Sequence, residues 1–174
     1  MSLLSYRPRR LRRTESLRSM VQENQVTVND LIYPVFVMQG ENIKQEIPSM
    51  PDCYRFSLDL LLLELQEVFD LGINAIALFP LIEENKKDNE GRESYNPEGL
   101  VQRTVRTIKT EIPQITVITD IALDPYSIYG HDGIVKDGEI LNDETVEILV
   151  KMALSHAEAG ADMVAPSDMM DDGW

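Results

Sequence analysis

The residues best suited to chemistry lie in the stretch TDIALDPYSIYGHDGI, positions 119–134. Asp120, Asp124, Asp132 and His131 sit there in a loop punctuated by Gly130 and Gly133. Grouped carboxylate oxygens suit a hard cation such as Mg²⁺, and they can alternatively share protons as an acid/base set. Asp and Gly are also ordinary turn residues, so a plain solvated loop explains the same spacing, and His131 alone is equally well a structural side chain. A second cluster, APSDMMDD at 165–172, offers Ser167 and Asp168, with Met169 and Met170 read as packing residues. Ser167 has no evident base partner, which speaks against a Ser-His-Asp hydrolase.

Both clusters follow short apolar runs, and such runs recur at 31–38, 73–80, 115–123 and 161–166. Their hydrophobicity is nearly continuous rather than alternating, which predicts strands buried on both faces of a parallel sheet. Helices are predicted between them. One runs over 58–71, capped by Ser57 and stopped at Gly72. A second, 98–111, is opened by Asn96 and Pro97 and ends before Pro113. The third, 145–159, begins at Asn142 or Asp143 and ends at Gly160. The result is about four βα units. Such units in series form either an open doubly wound sheet or a (β/α)8 barrel, and a barrel needs eight. No GxGxxG follows the first strand and no GxxxxGK[ST] occurs, so a nucleotide-binding open sheet loses its support. The polar segment 83–95 reads as a loop over the C-terminal ends of the strands, where a barrel keeps its active site.

With 174 residues and 43% hydrophobic content, the chain can build one sizeable core. The longest apolar run, near 72–82, contains Asn74 and Pro80 and falls short of the ~20 residues of a membrane span, so no membrane partner is expected. The N-terminus lacks the apolar core of a secretory signal, and Cys53, the single cysteine, reads as a packed thiol in a reducing compartment. A cytoplasmic location is expected, or a plastid stroma if a transit peptide was removed. The net charge of −14 opposes nucleic-acid binding. Locally, Arg7, Arg9, Arg10, Arg12, Arg13 and Arg18 face only Glu15 within the first twenty residues, so residues 1–28 read as a basic arm ahead of an acidic body at 29–174. The nearest partner for such an arm is the acidic body of another copy.

Four segments, DLIYPVFV (30–37), NPEGLVQRTVRTIK (96–109), TDIALDPYSIYGHDG (119–133) and HAEAGADMVAPSDMMD (156–171), resemble the porphobilinogen synthase family in order and interval. RPRRLRRTESLRSMV and EIPSMPDCYRFSLD resemble it as well, so the likeness spans 3–171. It implies an α/β fold of the (β/α)8 TIM-barrel family, here about the first four βα units plus an N-terminal arm. It also implies homo-octamers whose arms wrap neighbouring subunits, and the condensation of two 5-aminolevulinate molecules to porphobilinogen with loss of water in tetrapyrrole synthesis.

Zinc-dependent members carry three cysteines where this chain has Ala122, Asp124 and Asp132. The likeness is therefore to an aspartate-rich branch that uses Mg²⁺ or a monovalent cation and not zinc. By the same resemblance Asp120 and Ser167 contact substrate, while Asp124 and Asp132 occupy the metal or second-substrate positions. The family's two Schiff-base lysines come from later strands. Lys44, Lys86, Lys87, Lys109, Lys136 and Lys151 stand at neither position, and the ending Asp172, Gly173, Trp174 departs from the family's Gly-Arg. The chain alone is thus expected to be inactive, with its first and fourth strands as unpaired edges. The alternative is a non-catalytic remnant that serves as an assembly module.

Overall fold

The computed structural model describes residues 7–171; the first six residues of the arm and the Asp172-Gly173-Trp174 ending lie outside the described residues. Two compact units are distinguished, Met1–Asp30 and Leu31–Trp174. In the first, a 3₁₀ turn at Pro8–Arg12 precedes helix α1 (Glu15–Met20), capped by Thr14, whose hydroxyl accepts the Leu17 N–H at 3.2 Å. No side chain of either element is buried.

The second unit carries strands β1 (Tyr33–Met38), β2 (Lys44–Ile47) and β3 (Met50–Ser57), helix α2 (Leu58–Asp70), strand β4 (Ala75–Leu81) and helix α3 (Leu100–Glu111). Strand β5 (Thr116–Ile121), a short hairpin of β6 (Val135–Lys136) and β7 (Glu139–Ile140), helix α4 (Asn142–Glu158) and strand β8 (Met163–Pro166) complete it. The main sheet has the order β2-β3-β1-β4-β5-β8, with β3, β1, β4, β5 and β8 parallel and β2 antiparallel at one edge. The four runs expected as strands are thus β1, β4, β5 and β8, neighbours in chain order, as right-handed βα units require.

Two expectations need correction. Burial alternates along β5 and β4 instead of being continuous, because helices cover only one face of the sheet. On the covered face Val35, Val37, Ile76, Leu78, Val117 and Ile121 meet Leu61, Leu65 and Val68 of α2 and Val101, Val105 and Ile108 of α3. The i, i+4, i+7 spacing on each helix aims these side chains at one stripe, and each fully buried aliphatic chain contributes roughly 1.5–3 kcal/mol. The other face, carrying Phe36, Ala77, Phe79, Ile118 and Asp120, remains partly accessible, with the Phe36 and Phe79 rings stacked at 5.6 Å.

The second correction concerns β1, which is not a free edge. β3 pairs with it through Phe36–Arg55, Val37–Phe56 and Met38–Ser57. β8 has β5 as its one strand partner among the described residues, as expected for the fourth strand.

Helix ends follow local chemistry. Ser57 holds the N-cap position of α2, yet its hydroxyl accepts the Ile43 N–H at 2.8 Å and so ties the hairpin to the helix start instead of capping it. Asn96 makes a side-chain turn with the Glu98 N–H at 3.0 Å, and α3 opens later, after Gly99. Gly72 (φ 89°) and Gly160 (φ 105°) end α2 and α4 in the left-handed region, as expected from sequence. Among the described residues no helix is long and apolar enough to cross a membrane.

Candidate active site

β5 and β8 are adjacent and parallel, so the loops leaving their C-terminal ends emerge side by side. Asp120 closes β5 on the accessible face, and Ser167 directly follows β8. The Ser167 hydroxyl donates to Asp120 Oδ1 at 2.6 Å, a short charge-assisted bond, and the Ser167 N–H donates to the Ile121 carbonyl at 3.3 Å. Residues 47 apart in sequence thus meet because of sheet register.

One turn further along each loop, carboxylate oxygens of Asp124, Asp132 and Asp168 lie within 4.8 Å of one another. Asp124 and Asp132 are exposed, whereas Asp168 is 7% accessible. Asp168 accepts the Leu123 N–H at 3.1 Å, which locks the end of the β8 loop onto the β5 loop. Burial pushes its pKa up to about 7, opposed by that hydrogen bond and reinforced by Asp132, Asp124 and Asp120. Asp124 is raised too, by partial burial first and then by Asp132 and Asp120. Three carboxyls this close repel, and a cation is the ordinary relief. The donor set is all oxygen, which fits a hard ion such as Mg²⁺ and offers zinc no thiolate. Ala122, buried beside them, brings no ligand atom. His131 is exposed and outside the carboxylate group.

The loop holding Asp132 is fixed from below. Gly133 packs so closely that a Cβ there would stand 2.7 Å from Ile140 and 3.1 Å from Thr145, and the Ile134 N–H donates to the Thr145 hydroxyl at 3.0 Å. From the other side, Asp88 of the 83–95 segment donates its N–H to the Tyr126 carbonyl at 3.1 Å and bridges Ser127, while the Asn89 amide brackets the Val135 backbone. The Tyr126 phenol is 1% accessible without a hydrogen-bond partner among the described residues. Burial, then Glu93, Asp120 and Asp124, hold its pKa far above the ordinary value, so it remains a neutral hydroxyl.

A cavity of about 410 Å³ opens beside these groups, lined by Phe36, Arg55, Phe79, Leu81, Asp120 and Asp124. Of its members, sequence reading missed Arg55, which belongs to the unforeseen β3. Asp168, read with Ser167 in the second cluster, joins the carboxylate group of the first through the β5–β8 register. No lysine faces the cavity. Lys86 pairs with Glu93 at 3.3 Å and Lys87 with Glu84 at 2.6 Å. Lys109 pairs with Asp162 at 2.9 Å, and Lys44 lies over the Tyr54 ring at 4.5 Å.

The family model described as delta-aminolevulinic acid dehydratase matches residues 5–173. A delta-aminolevulinic acid dehydratase of Chlamydia pneumoniae is 50% identical over 168 residues, covering 97% of this chain and 51% of the relative. That of Bradyrhizobium diazoefficiens is 51% identical over 168 residues, covering 97% and 48%. The crystal structure of delta-aminolevulinic acid dehydratase (porphobilinogen synthase) from Toxoplasma gondii, in complex with the reaction product porphobilinogen, matches with a TM-score of 0.94 at 46% identity. It covers 98% of this chain and 49% of that one. The chain therefore spans about half the length of the curated relatives it matches. On the family match and this identity, the chain belongs to the delta-aminolevulinic acid dehydratase family and has that family's α/β, TIM-barrel-type architecture.

Proposed function

We propose that this chain forms the half of a porphobilinogen synthase that receives 5-aminolevulinate, in an assembly condensing two such molecules to porphobilinogen with loss of water. The observation that carries this reading is the Ser167–Asp120 pair at the mouth of the cavity, on a backbone matching a chain solved with porphobilinogen. The substrate is a short amino-keto acid, and the cavity has a complement for each end. Arg55 meets a carboxylate, Asp120 and Ser167 meet an amine or a departing oxygen, and the Phe36–Phe79 stack walls off water. Asp120 is oriented by the Ser167 hydroxyl, so it presents a fixed acceptor. Without a bound cation, Asp168, with a pKa near 7, can hold a proton at its carboxyl at neutral pH.

Asp124, Asp132 and Asp168 would hold Mg²⁺, with a monovalent cation as the other candidate of the same hard-oxygen preference, and the ion would supply positive charge against developing negative charge. The amine nucleophiles of the condensation lie outside these 174 residues, whose lysines are ion-paired or remote from the cavity.

The arm assembles copies of the protein. Its arginines Arg9, Arg10, Arg12 and Arg13 have no carboxylate partner among the described residues, and its helices bury nothing of their own, which fits docking on an acidic neighbour. A homo-octamer in the cytoplasm, or in a plastid stroma, is the assembly and setting this reading implies. The free thiol of Cys53 fits a reducing compartment.

The test is pyrrole formation from 5-aminolevulinate with Mg²⁺ and K⁺. The 174-residue chain alone gives none. Co-expressed with the second half of the Bradyrhizobium relative it gives product, and Asp120→Asn lowers kcat about 100-fold or more while Arg55→Met raises KM. Product formation insensitive to both substitutions would remove the reading.

A further inference from the structure

The carboxylate group draws on two loops, and one turn of α4 grips both. Asp132 comes from the loop after β5 and Asp168 from the loop after β8. Asp132 is exposed, and the backbone before it turns through Gly130 at φ 59°, where a Cβ would meet nothing within 4 Å. Its placement is therefore set from the other side, by the residues that follow it.

Those residues rest on the start of α4. The Ile134 N–H donates to the Thr145 hydroxyl at 3.0 Å, the same hydroxyl donates to the Leu141 carbonyl at 2.5 Å, and the Leu141 N–H returns to the Ile134 carbonyl at 2.9 Å. The circuit uses the single hydroxyl proton of Thr145 as donor and its oxygen as acceptor. Thr145 is fully buried and Ile134 nearly so, and removing that oxygen leaves the Ile134 N–H without a partner. Gly133 completes the seat, since a Cβ on it would stand 2.7 Å from Ile140, 3.1 Å from the Thr145 hydroxyl and 3.5 Å from Met170 of the β8 loop.

One turn earlier on the helix, Asn142 holds the second loop. Its Oδ1 accepts the Asp171 N–H at 2.8 Å, and its amide donates to the Asp171 carbonyl at 3.1 Å. The start of α4 thus fixes the β5 loop just past Asp132 and the β8 loop just past Asp168. Capping the helix would need only the bond to Leu141, whereas the bonds to Ile134 and Asp171 reach outside it.

We propose that Thr145, with Asn142 beside it, is the positioning residue of the carboxylate group, setting the separation of Asp132 from Asp168 at which a hard cation binds. The proposal rests on the cation reading above and adds the groups that hold the ligands in place. Without the circuit the ion itself would have to order the Asp132 loop, and that entropy would appear as lost affinity.

The experiment titrates Mg²⁺ calorimetrically into the metal-free 174-residue chain and into Thr145→Val, Thr145→Ser and Asn142→Ala, with a circular dichroism spectrum of each. Valine keeps the branched shape and removes the hydroxyl, which serine restores. Expected is one saturable site in the unaltered chain, about tenfold or more weaker in Thr145→Val and within about threefold of the unaltered affinity in Thr145→Ser. Amide exchange at Ile134 speeds up in Thr145→Val and not in Thr145→Ser. Asn142→Ala, at a half-buried site, weakens binding about threefold or more, and it carries the test if Thr145→Val loses the native spectrum.

Unchanged affinity in folded Thr145→Val, or in Asn142→Ala where that variant carries the test, overturns the inference and leaves the cation reading standing. Equal losses in the valine and serine variants assign the effect to packing instead of the hydroxyl, and overturn it as well. Absence of saturable binding to the unaltered chain overturns the cation reading and this inference with it.

Discussion

The two faces of the same sheet have opposite jobs. The helix-covered face is finished, with aliphatic side chains from β1, β4 and β5 locked against α2 and α3. The other face is left open, and there the same strands end in Asp120, the carboxylate loops and the cavity beside Arg55. Stability and chemistry are thus separated by the strand's two-residue alternation, in which neighbouring residues of one strand serve different ends.

That separation is broken most easily by truncating one side chain on each face. Leu65→Ala, at a fully buried site, is expected to cost about 2–5 kcal/mol of unfolding free energy. Phe79→Ala on the open face is expected to cost less, roughly 1–2 kcal/mol, because Phe79 is only partly buried and leaves no closed cavity behind. Urea unfolding of both variants checks this, and equal losses would mean that the open face is as packed as the covered one.

A smaller effect comes from His156 on α4, whose ring is fully buried. Burial lowers its pKa to about 4, the Ser94 backbone working slightly against this, while an unfolded chain has the usual 6.5. The unfolded state therefore binds the proton first, so this contribution is complete above about pH 6.5 and fades as pH falls toward 4, by up to about 3 kcal/mol. Asp168 acts oppositely, since its raised pKa makes the metal-free fold relatively more stable toward acid. The clean reading is the difference between the unaltered protein and His156→Phe across pH 4–7. The stability of the unaltered protein relative to the variant should rise with pH across that window, and a pH-independent difference would contradict a neutral buried imidazole.

The smallest effect belongs to the mouth. Ser167→Ala removes one bond at an exposed site and should shift unfolding by no more than about 1 kcal/mol. In the reconstituted assembly it should nonetheless lower kcat, because Asp120 loses its fixed orientation. A large stability change with unchanged kcat would reverse the division between the faces.

Four strands and three helices were legible in the sequence because each depends on local signals: an apolar run, a stopping glycine, a proline beyond a helix end. The β2–β3 hairpin was not, since its outer half is exposed and its inner half earns its place by pairing with β1, a contact distant in sequence. The β6–β7 hairpin had a usable signal that went unread, Asp137-Gly138 with both residues at positive φ, a turn of the type that favours tight hairpins. Asp120, Asp124 and Asp132 were visible as one cluster and Ser167 with Asp168 as another, but the contacts that join the two clusters were not. The 2.6 Å Ser167–Asp120 bond and the entry of Asp168 into the carboxylate group depend on the register of β5 against β8, and one sequence does not disclose register.

The central proposal is that Asp124, Asp132 and Asp168 form a hard-cation site beside the cavity that Asp120 and Arg55 line. Calorimetric titration of the metal-free 174-residue chain with Mg²⁺, repeated on Asp168→Asn and Asp132→Asn, tests it most directly. The account expects one saturable site, weakened about tenfold or more by either substitution. Absence of saturable binding, or binding that both variants retain unchanged, would contradict it.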